Sequence, residues 1–379
     1  MTANHGRALR PVTNLSELPD PHYLCGAVQA ADPLDADHLL TNLPTMNASA
    51  DTTALWSLQR ELTHRTLALL ASRSLSGTES LAVMRDIGIV LGSVKRHGTE
   101  PLEVTPDLSP ALLALGWQTG LIPRDTVQHY TAWNPRDERR RRYTNDPQEQ
   151  HLQDAVATVF PQLSASLTIS NELSRLDPRD ARFAPLMSSL DGTTLSMVTT
   201  IDTVVRTVSP IFFAQVLRPY FEEISVAGTT YLGPAAAQVP LWLVDLCLWA
   251  SDRNADGYRR FLDDSLPYAL PSWRAFHDEH HRHPSIITRL VSTYAAEPQN
   301  VDLHRSAEAT ARLLRTLKTF RGRHIGIAKK AYADDVRLYE NGSGGAPVAL
   351  LKEILDLTRE NETLLNKPTA AHRQVAAAR

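Results

Sequence analysis

One helical stretch near the end of the chain constrains the fold most strongly. Between Leu313 and Tyr332, apolar residues recur at helical spacing, and the one polar residue in that stripe is His324. Basic residues occupy most of the remaining surface, as in a helix that packs one face against a core. A histidine in an apolar stripe loses roughly 1–3 kcal/mol unless its ring nitrogens find partners. Taken alone, this pattern favours a core histidine bonded to a backbone carbonyl over a metal ligand.

Leucine and alanine at helical spacing recur along the chain, whereas the alternation typical of strands is scarce. We therefore predict an all-α protein. Its 379 residues are enough for one large domain or two, and the Pro-rich segment 99–110 is the predicted boundary. We divide the chain into a polar tail (1–27), a smaller helical domain (28–105), a large helical domain (106–368) and a C-terminal tail (369–379).

Composition argues against several classes of protein. The net charge is −3, so no basic field marks the chain for nucleic acid or a membrane surface. The 2 cysteines cannot form a disulfide framework. No apolar run reaches the ~18 residues of a transmembrane helix, and the N-terminal segment lacks the apolar core of a secretory signal. We expect a cytoplasmic protein that binds neither nucleic acid nor membranes.

Two polar clusters are compatible with ligand binding but favour simpler interpretations. The run Arg136–Arg142 contains two acids and no aromatic residue, which favours a solvated loop over a nucleic-acid site. His277, His280 and His281 have a spacing that can ligate a metal ion. Their polar surroundings just before Pro284 instead indicate an exposed helix end.

Asp245 is the single acid in an apolar helix predicted over residues 235–250. A buried carboxylate needs a cationic or hydrogen-bonding partner. Arg321, one helical turn before His324, is the expected partner.

Arg218 and a glycine-rich loop are candidate ligand-binding elements. Arg218 precedes Pro219, where the helix that contains it must weaken. An arginine at such a break, beside Phe213, can clamp a carboxylate through two hydrogen bonds. The residues alone favour a surface arginine that lies along its helix. The glycine-rich segment 340–347, which opens the last apolar helix, is typical of a lid or an anion clamp.

Small residues predict two places of close approach. Gly88 and Gly92 lie in an apolar helix, and their spacing matches no phosphate-binding loop, so we predict close helix packing there. Gly233 and Ala235 begin a run of small residues that would let a flat ligand approach the backbone.

Several segments, in the same order, resemble one family over about residues 28–365. They are similar to the heme-binding part of indoleamine and tryptophan 2,3-dioxygenases. The closer resemblance is to the heme-dependent monodechloroaminopyrrolnitrin synthase (PrnB-like) family, whose enzyme rearranges a chlorinated tryptophan. The segments read MRDIGIVLGSVKRHGTEP, TVQHYTAWNP, LRPYFEEISVAGTTYLGPAA, SLPYALPSWRA, FRGRHIGIAKKAY and GSGGAP.

The resemblance implies an all-α heme domain like that of indoleamine 2,3-dioxygenase, and it implies cofactor-binding residues. His324 matches the proximal ligand of the iron of heme b. Arg321 matches an arginine that pairs with a heme propionate and with the helical aspartate, here Asp245. Gly233 and Ala235 match a small-residue turn that lies along the heme.

The resemblance also implies a substrate side. Arg218 matches the arginine that binds the substrate carboxylate, and Phe213 matches the aromatic wall beside it. Ser343 and Gly344 match the loop that closes over the amino acid. His129, near the expected distal side, is a candidate acid/base or substrate contact, and a packing or surface role is equally compatible.

Two departures distinguish this chain from the dioxygenases. Pro234 replaces their serine, and Ala214 follows Phe213 where they have a second aromatic residue. The second change predicts a roomier pocket, which would suit a halogenated or otherwise modified amino acid.

The implied function is a heme-dependent oxygenase that acts on tryptophan or a modified, for example chlorinated, tryptophan in specialised-metabolite (antibiotic) biosynthesis. It would use O2 or H2O2 and would be a monomer or a homodimer. The alternatives are a tryptophan 2,3-dioxygenase, a monooxygenase on another aromatic amino acid, and a heme-binding protein without turnover. From the residues alone, a helical partner-binding protein without a cofactor also stays open.

Overall fold

Helices dominate the computed structural model, which describes residues 21–235, 238–253 and 255–377. The structure is 70% helical and has two short strands, so the all-α prediction is confirmed. The strands are β1 (Ile224–Val226) and β2 (Thr229–Tyr231), which form one antiparallel hairpin in which Ser225 faces Thr230.

Sixteen α-helices are assigned in the described ranges. The first eight are α1 Pro21–Ala30, α2 Asp37–Leu40, α3 Leu43–Ala48, α4 Thr52–Ser72, α5 Gly77–Arg96, α6 Pro101–Val104, α7 Leu108–Thr119 and α8 Val127–Tyr130. The others are α9 Pro147–Arg175, α10 Phe183–Thr207, α11 Leu241–Leu248, α12 Asp256–Ser265, α13 Pro271–His280, α14 Ile286–Ala296, α15 Val301–Ala331 and α16 Ala349–Ala377.

Side chains at the helix ends explain where several helices begin. Ser76 and Glu79 form a capping box that starts α5, in which each side chain bonds the other residue's backbone N–H. The Asn300 side chain accepts from two backbone N–H groups at the start of α15. Gly120 ends α7 in the left-handed region, at φ 65°, where glycine carries no Cβ penalty.

The larger core lies among the long helices. α10 packs against α9 and α15, and α15 packs against α16. Their apolar faces join α11, α13 and α14 in one cluster of buried residues. The stripe predicted on α15 faces this core, since Leu313 and Leu317 are fully buried.

The smaller core surrounds α5, which contacts α4 and α7. It includes the stacked rings of Tyr143 and Tyr220, whose centroids are 4.4 Å apart, and the inner face of the β hairpin. This cluster therefore joins residues from both sides of the segment 99–110. The predicted domain boundaries stay predictions. Residues 1–20 of the predicted N-terminal tail lie outside the described ranges, and α16 continues to Ala377, through most of the predicted C-terminal tail.

The arginine-rich run is partly buried, so the expectation of a solvated loop is wrong for Arg141. Arg141 is 2% exposed, and its Nε donates to Asp86 at 2.7 Å. Arg141 also bonds Asp37, and Asp86 accepts from Arg85 at 2.8 Å. Carboxylates from α2 and α5 thus neutralise Arg141 in the core, because a buried charge is tolerated only when it is paired. Sequence periodicity could not show this pairing.

Proline affects two predicted helices differently. α9 is assigned continuously through Pro161, where we expected a kink. The helix predicted over residues 235–250 is shorter, because α11 begins only after Pro240 and ends at Leu248.

Within the described ranges, no single helix has the length and apolar character needed to cross a membrane. α10 and the helical segment 212–221 meet that requirement only when they are taken together, and they meet at a bend of 86°.

The predicted close packing at Gly88 and Gly92 is confirmed. A Cβ at Gly88 would lie 2.3 Å from the Asp125 Cβ, and one at Gly92 would lie 2.4 Å from the Tyr143 hydroxyl. Both glycines therefore let α5 approach buried side chains from other segments.

We predict that Gly88→Ala lowers the free energy of unfolding by about 1–3 kcal/mol, because the added methyl group overlaps Asp125. Gly192→Ala is the matched control in the interior of α10, where a Cβ would meet nothing within 4 Å. It should raise stability by up to about 1 kcal/mol. Urea denaturation followed by circular dichroism measures both. Equal stability of the two variants would contradict the packing role of Gly88.

Candidate active site

An apolar cavity of about 340 Å³ opens among α9, α10, α11, α15 and α16. Pockets of this size hold small organic molecules. Two of the few polar groups on its wall are His324 and Arg321. The apolar lining includes Val156, Val159, Met197, Ile201, Val204, Leu241, Trp242, Phe320, Ile327, Leu350 and Ile354.

His324 lies on the cavity wall, on the same face of α15 as Phe320 and Ala328. No hydrogen bond to its ring is found within the described ranges. Its aromatic neighbour is Phe320, whose ring centroid is 5.8 Å away and tilted by 40°. Burial lowers the pKa of His324, so the imidazole is neutral at neutral pH. The backbone-bonded core histidine that we favoured from the residues alone is therefore not observed.

The expected ion pair between Arg321 and Asp245 is present. Arg321 bonds Asp245 through Nη2 and the Thr358 hydroxyl through Nη1. The Asp245 carboxylate also accepts from Trp249 Nε1 at 3.0 Å and from the Tyr258 hydroxyl at 2.7 Å. Both charged residues are buried and both line the cavity. The pair fixes α15 to α11 and α16 beside the cavity.

The helical segment that contains Arg218 changes its type at Arg218, where the following Pro219 predicted a break. A π-helical turn, Phe212–Leu217, is followed by a 3-10 helix, Arg218–Phe221. Proline has no N–H to continue the regular pattern, and π-helical turns are frequent at functional sites.

Arg218 is 8% exposed, and its Nε and Nη1 have no hydrogen-bond partner among the described residues. Its Cζ lies 4.3 Å from the ring centroid of Tyr339. Burial raises the pKa of Tyr332, and the nearby Arg218 charge opposes that rise. Tyr332 lines the cavity and Arg218 does not. Arg218 is thus a buried guanidinium at the edge of the cavity, close to Tyr332, and it is available to an anion.

Phe213, Ser343 and Gly344 all line the cavity. The loop that carries the last two folds back on itself, because Gly342 N donates to Ala346 O at 2.9 Å. Gly345 takes a φ of +79°, which favours glycine. The loop is therefore closed against the cavity.

Gly233 and Ala235 do not line the cavity; Val239 and Leu241 do so instead. A Cβ at Gly233 would lie 2.8 Å from the Phe221 carbonyl oxygen, so its small size serves backbone packing. Residues 236 and 237 lie outside the described ranges. The role of this turn beside a ligand stays a prediction.

The two departures from the dioxygenases also lie away from the cavity wall. Ala214 and Pro234 are buried, and neither lines the cavity. Ala214 therefore does not itself widen the cavity wall, and the roomier pocket expected from it stays a prediction.

His129 is buried in a packing position and does not line the cavity. Its Nδ1 accepts from the backbone N–H of Thr126 at 3.0 Å, which places the ring proton on Nε2. The ring meets Trp133 edge-on, with centroids 4.7 Å apart. Burial lowers the pKa of His129 to about 3. Its predicted catalytic role stays a prediction, whereas the packing alternative agrees with these contacts.

The histidine cluster lies on α13 and the turn after it. His277, Asp278 and His281 have ligand atoms within 4.8 Å of one another. However, both ring nitrogens of His281 already have partners, since Nε2 accepts from Arg282 Nε at 2.9 Å and Nδ1 lies 3.0 Å from the Asp278 carbonyl oxygen. His280 contradicts the expected exposed helix end. It is 4% exposed and lies 3.1 Å from the Ser174 hydroxyl.

Three residues near the cavity were missed by sequence reasoning. Tyr332 and Tyr258 line it, and Thr358 bonds Arg321. Tyr332 follows the predicted stripe directly and could have been included on spacing. The other two come from different helices, and no local pattern relates them to α15.

We predict that acid destabilises the protein partly through His129. The unfolded imidazole binds a proton below a pKa of 6.5, whereas the folded one does so only near 3. Stability is therefore retained at pH 7.5 and lost as the pH falls through 6.5, by about 1 kcal/mol at pH 5.5. His129→Asn should flatten this slope in urea denaturation, and the exposed-site variant His151→Asn should follow the wild type. Identical slopes in all three proteins would refute the assignment.

One comparison with known proteins bears on identity. The family model described as monodechloroaminopyrrolnitrin synthase PrnB matches residues 27–377, which include the whole cavity wall and all the residues singled out above. A match over nearly the whole chain is far more specific than any single motif within it. The chain belongs to the monodechloroaminopyrrolnitrin synthase PrnB family.

Proposed function

We propose that the protein is a heme-dependent oxygenase that acts on tryptophan or a chlorinated tryptophan in specialised-metabolite biosynthesis. The observation that carries this proposal is an imidazole on the wall of an apolar cavity, with a buried guanidinium nearby; among the described residues, the first has no hydrogen-bond partner and the second has no ion-pair partner. The family match supports an enzyme of antibiotic biosynthesis with a tryptophan-derived substrate.

The residues around the cavity fit a heme. The wall is largely apolar, as a porphyrin face requires, and the volume of about 340 Å³ lies within the range of small-molecule sites. His324 is half-buried on the cavity wall and lacks a hydrogen-bond partner in the described part of the chain, which leaves its lone pair free. A neutral histidine is the common proximal ligand of heme iron.

When bound, the heme would supply iron for the activation of O2 or H2O2. His324 would hold that iron, and its lowered pKa keeps the ligating lone pair free at neutral pH. The bonds from Arg321 to Asp245 and Thr358 would fix the helix that presents His324. Arg321 is the cation that would pair with a heme propionate, in addition to Asp245, which it already bonds.

Arg218 would orient the substrate through its carboxylate. Two of its nitrogens have no hydrogen-bond partner in the part of the chain that the structure describes, and a carboxylate can accept two parallel hydrogen bonds from a guanidinium. Phe213 would flank the indole ring, and Ser343 and Gly344 would cover the amino acid. Fixing the ring in one orientation and keeping water out are what these groups contribute to the reaction.

A heme-binding protein without turnover is the other candidate within the same cofactor class. It has no use for a buried arginine that has no counter-ion among the described residues, since an unpaired buried charge lowers stability. Arg218 therefore favours an enzyme over that alternative.

We predict that His324→Ala weakens hemin binding by more than ~10-fold, or about 1.4 kcal/mol. Trp242 lines the cavity, so quenching of tryptophan fluorescence by added hemin reports occupancy without any assay of activity. The matched control is His151→Ala, at an exposed position on α9. Far-UV circular dichroism checks that both variants are folded. If His324→Ala binds hemin as tightly as the control does, the ligand assignment is wrong.

We predict a different effect for Arg218→Ala, which should keep hemin and weaken L-tryptophan binding by ~10-fold or more because a charge-assisted bond is lost. Binding of tryptamine, which lacks the carboxylate, should change little. Arg96→Ala is the control, since Arg96 is a nearby cation that lies 5.9 Å from the Tyr220 ring. A wild-type protein that binds tryptamine as well as tryptophan would rule out the clamp.

A further inference from the structure

The segment 333–341, which links α15 to the glycine-rich loop, is attached to the chain around Arg218. Gln215 Nε2 donates to the backbone oxygen of Val336 at 3.0 Å. The Tyr339 ring lies over Arg218, and the Tyr339 hydroxyl donates to the Glu222 carboxylate. Gln215 lies in the π-helical turn, Arg218 begins the 3-10 helix and Glu222 directly follows it, so one short stretch of chain carries all three contacts.

Tyr339 makes two different contacts with neighbouring charges. Its ring face meets the Arg218 guanidinium at 4.3 Å from Cζ, within the range of a cation–π interaction. Its hydroxyl bonds a carboxylate oxygen of Glu222. Burial and the bond to Glu222 both raise the pKa of Tyr339, so the hydroxyl keeps its proton and continues to donate.

Glu222 is a potential competitor for Arg218. It directly follows the 3-10 helix that Arg218 begins, and both residues contact Tyr339, so the two opposite charges are neighbours that could form an ion pair. No such ion pair occurs in the described structure, although Arg218 Nε and Nη1 have no other partner. The Glu222 oxygen is instead held by the Tyr339 hydroxyl. One tyrosine thus orients the arginine and restrains the nearby acid.

We infer that Tyr339 is a positioning residue, whose ring holds the Arg218 guanidinium in place while its hydroxyl keeps Glu222 from occupying that guanidinium. Arg218 therefore stays free for the carboxylate of an incoming amino acid. Because this role assumes that Arg218 binds the substrate, it rests on the proposed function. It adds to that function a residue outside the cavity wall and an internal carboxylate that competes with the ligand.

Tyr339→Phe is the discriminating change, because it keeps the ring and removes only the hydroxyl. Glu222 is then released and competes for Arg218. In the heme-reconstituted protein, the Kd for L-tryptophan should rise ~10-fold, and the Kd for tryptamine should change less than ~2-fold. The double variant Tyr339→Phe with Glu222→Gln removes the competing charge. It should return the L-tryptophan Kd to within ~3-fold of the wild type, and Glu222→Gln alone should stay near the wild type.

Isothermal titration calorimetry of the four proteins with both ligands makes the test. A Tyr339→Phe protein that binds L-tryptophan like the wild type overturns the positioning role. So does equal weakening of both ligands without recovery in the double variant, because that pattern indicates a packing defect. If the wild type itself binds neither ligand, the proposed function fails and this role fails with it. That outcome can be told apart from a failure of the positioning role alone, because it is seen in the wild-type protein before any substitution is made.

Discussion

The bond between Arg321 and Asp245 is the interaction on which the geometry of the cavity depends. Both groups are buried, and breaking such a pair by removing one partner costs about 3–5 kcal/mol. The carboxylate is further fixed by Trp249 and Tyr258, and the guanidinium by Thr358. Side chains from four helices, α11, α12, α15 and α16, therefore meet at this ion pair. His324 lies one turn further along α15, so its position on the cavity wall is set by the same bonds.

A second constraint acts on the part of the cavity wall that contains Phe213. The chain from Phe212 to Phe221 is a π-helical turn followed by a 3-10 helix, because Pro219 cannot continue a regular helix. This irregular segment turns Phe213 to the cavity and buries Arg218 beside it. The buried arginine lacks a counter-ion in the described residues, and such a group is costly unless a ligand completes it. The irregular segment thus supplies Phe213 and Arg218, and the regular helix α15 supplies His324 and Arg321.

Features that depend on local spacing could be predicted from the sequence. Features that depend on contacts between distant elements could not. The apolar stripe around His324, the helix break at Pro219 and the partner of Asp245 could all be predicted. Each follows from helical period, proline chemistry or the need of a buried charge for a partner. Those features are enough to place the site on α15 and near the helix break.

Long-range packing explains the remaining differences. Arg141 lies in a charged run but is paired with Asp86, which is distant in sequence. Gly233 looks like a ligand-facing residue, yet its neighbour is the Phe221 carbonyl. The contact of Tyr339 with Arg218 joins segments that no periodic pattern relates. Such contacts depend on which elements meet in the folded chain, and composition and spacing carry no information on that.

The central claim is that the cavity binds heme through His324 and receives an aromatic amino acid next to it. The most direct test is the optical spectrum of the hemin-reconstituted, dithionite-reduced wild-type protein, before and after addition of L-tryptophan or 7-chlorotryptophan. The account predicts the Soret band of a ferrous histidine-ligated heme and a shift of that band with at least one of the two amino acids. The absence of any Soret band after reconstitution would contradict it.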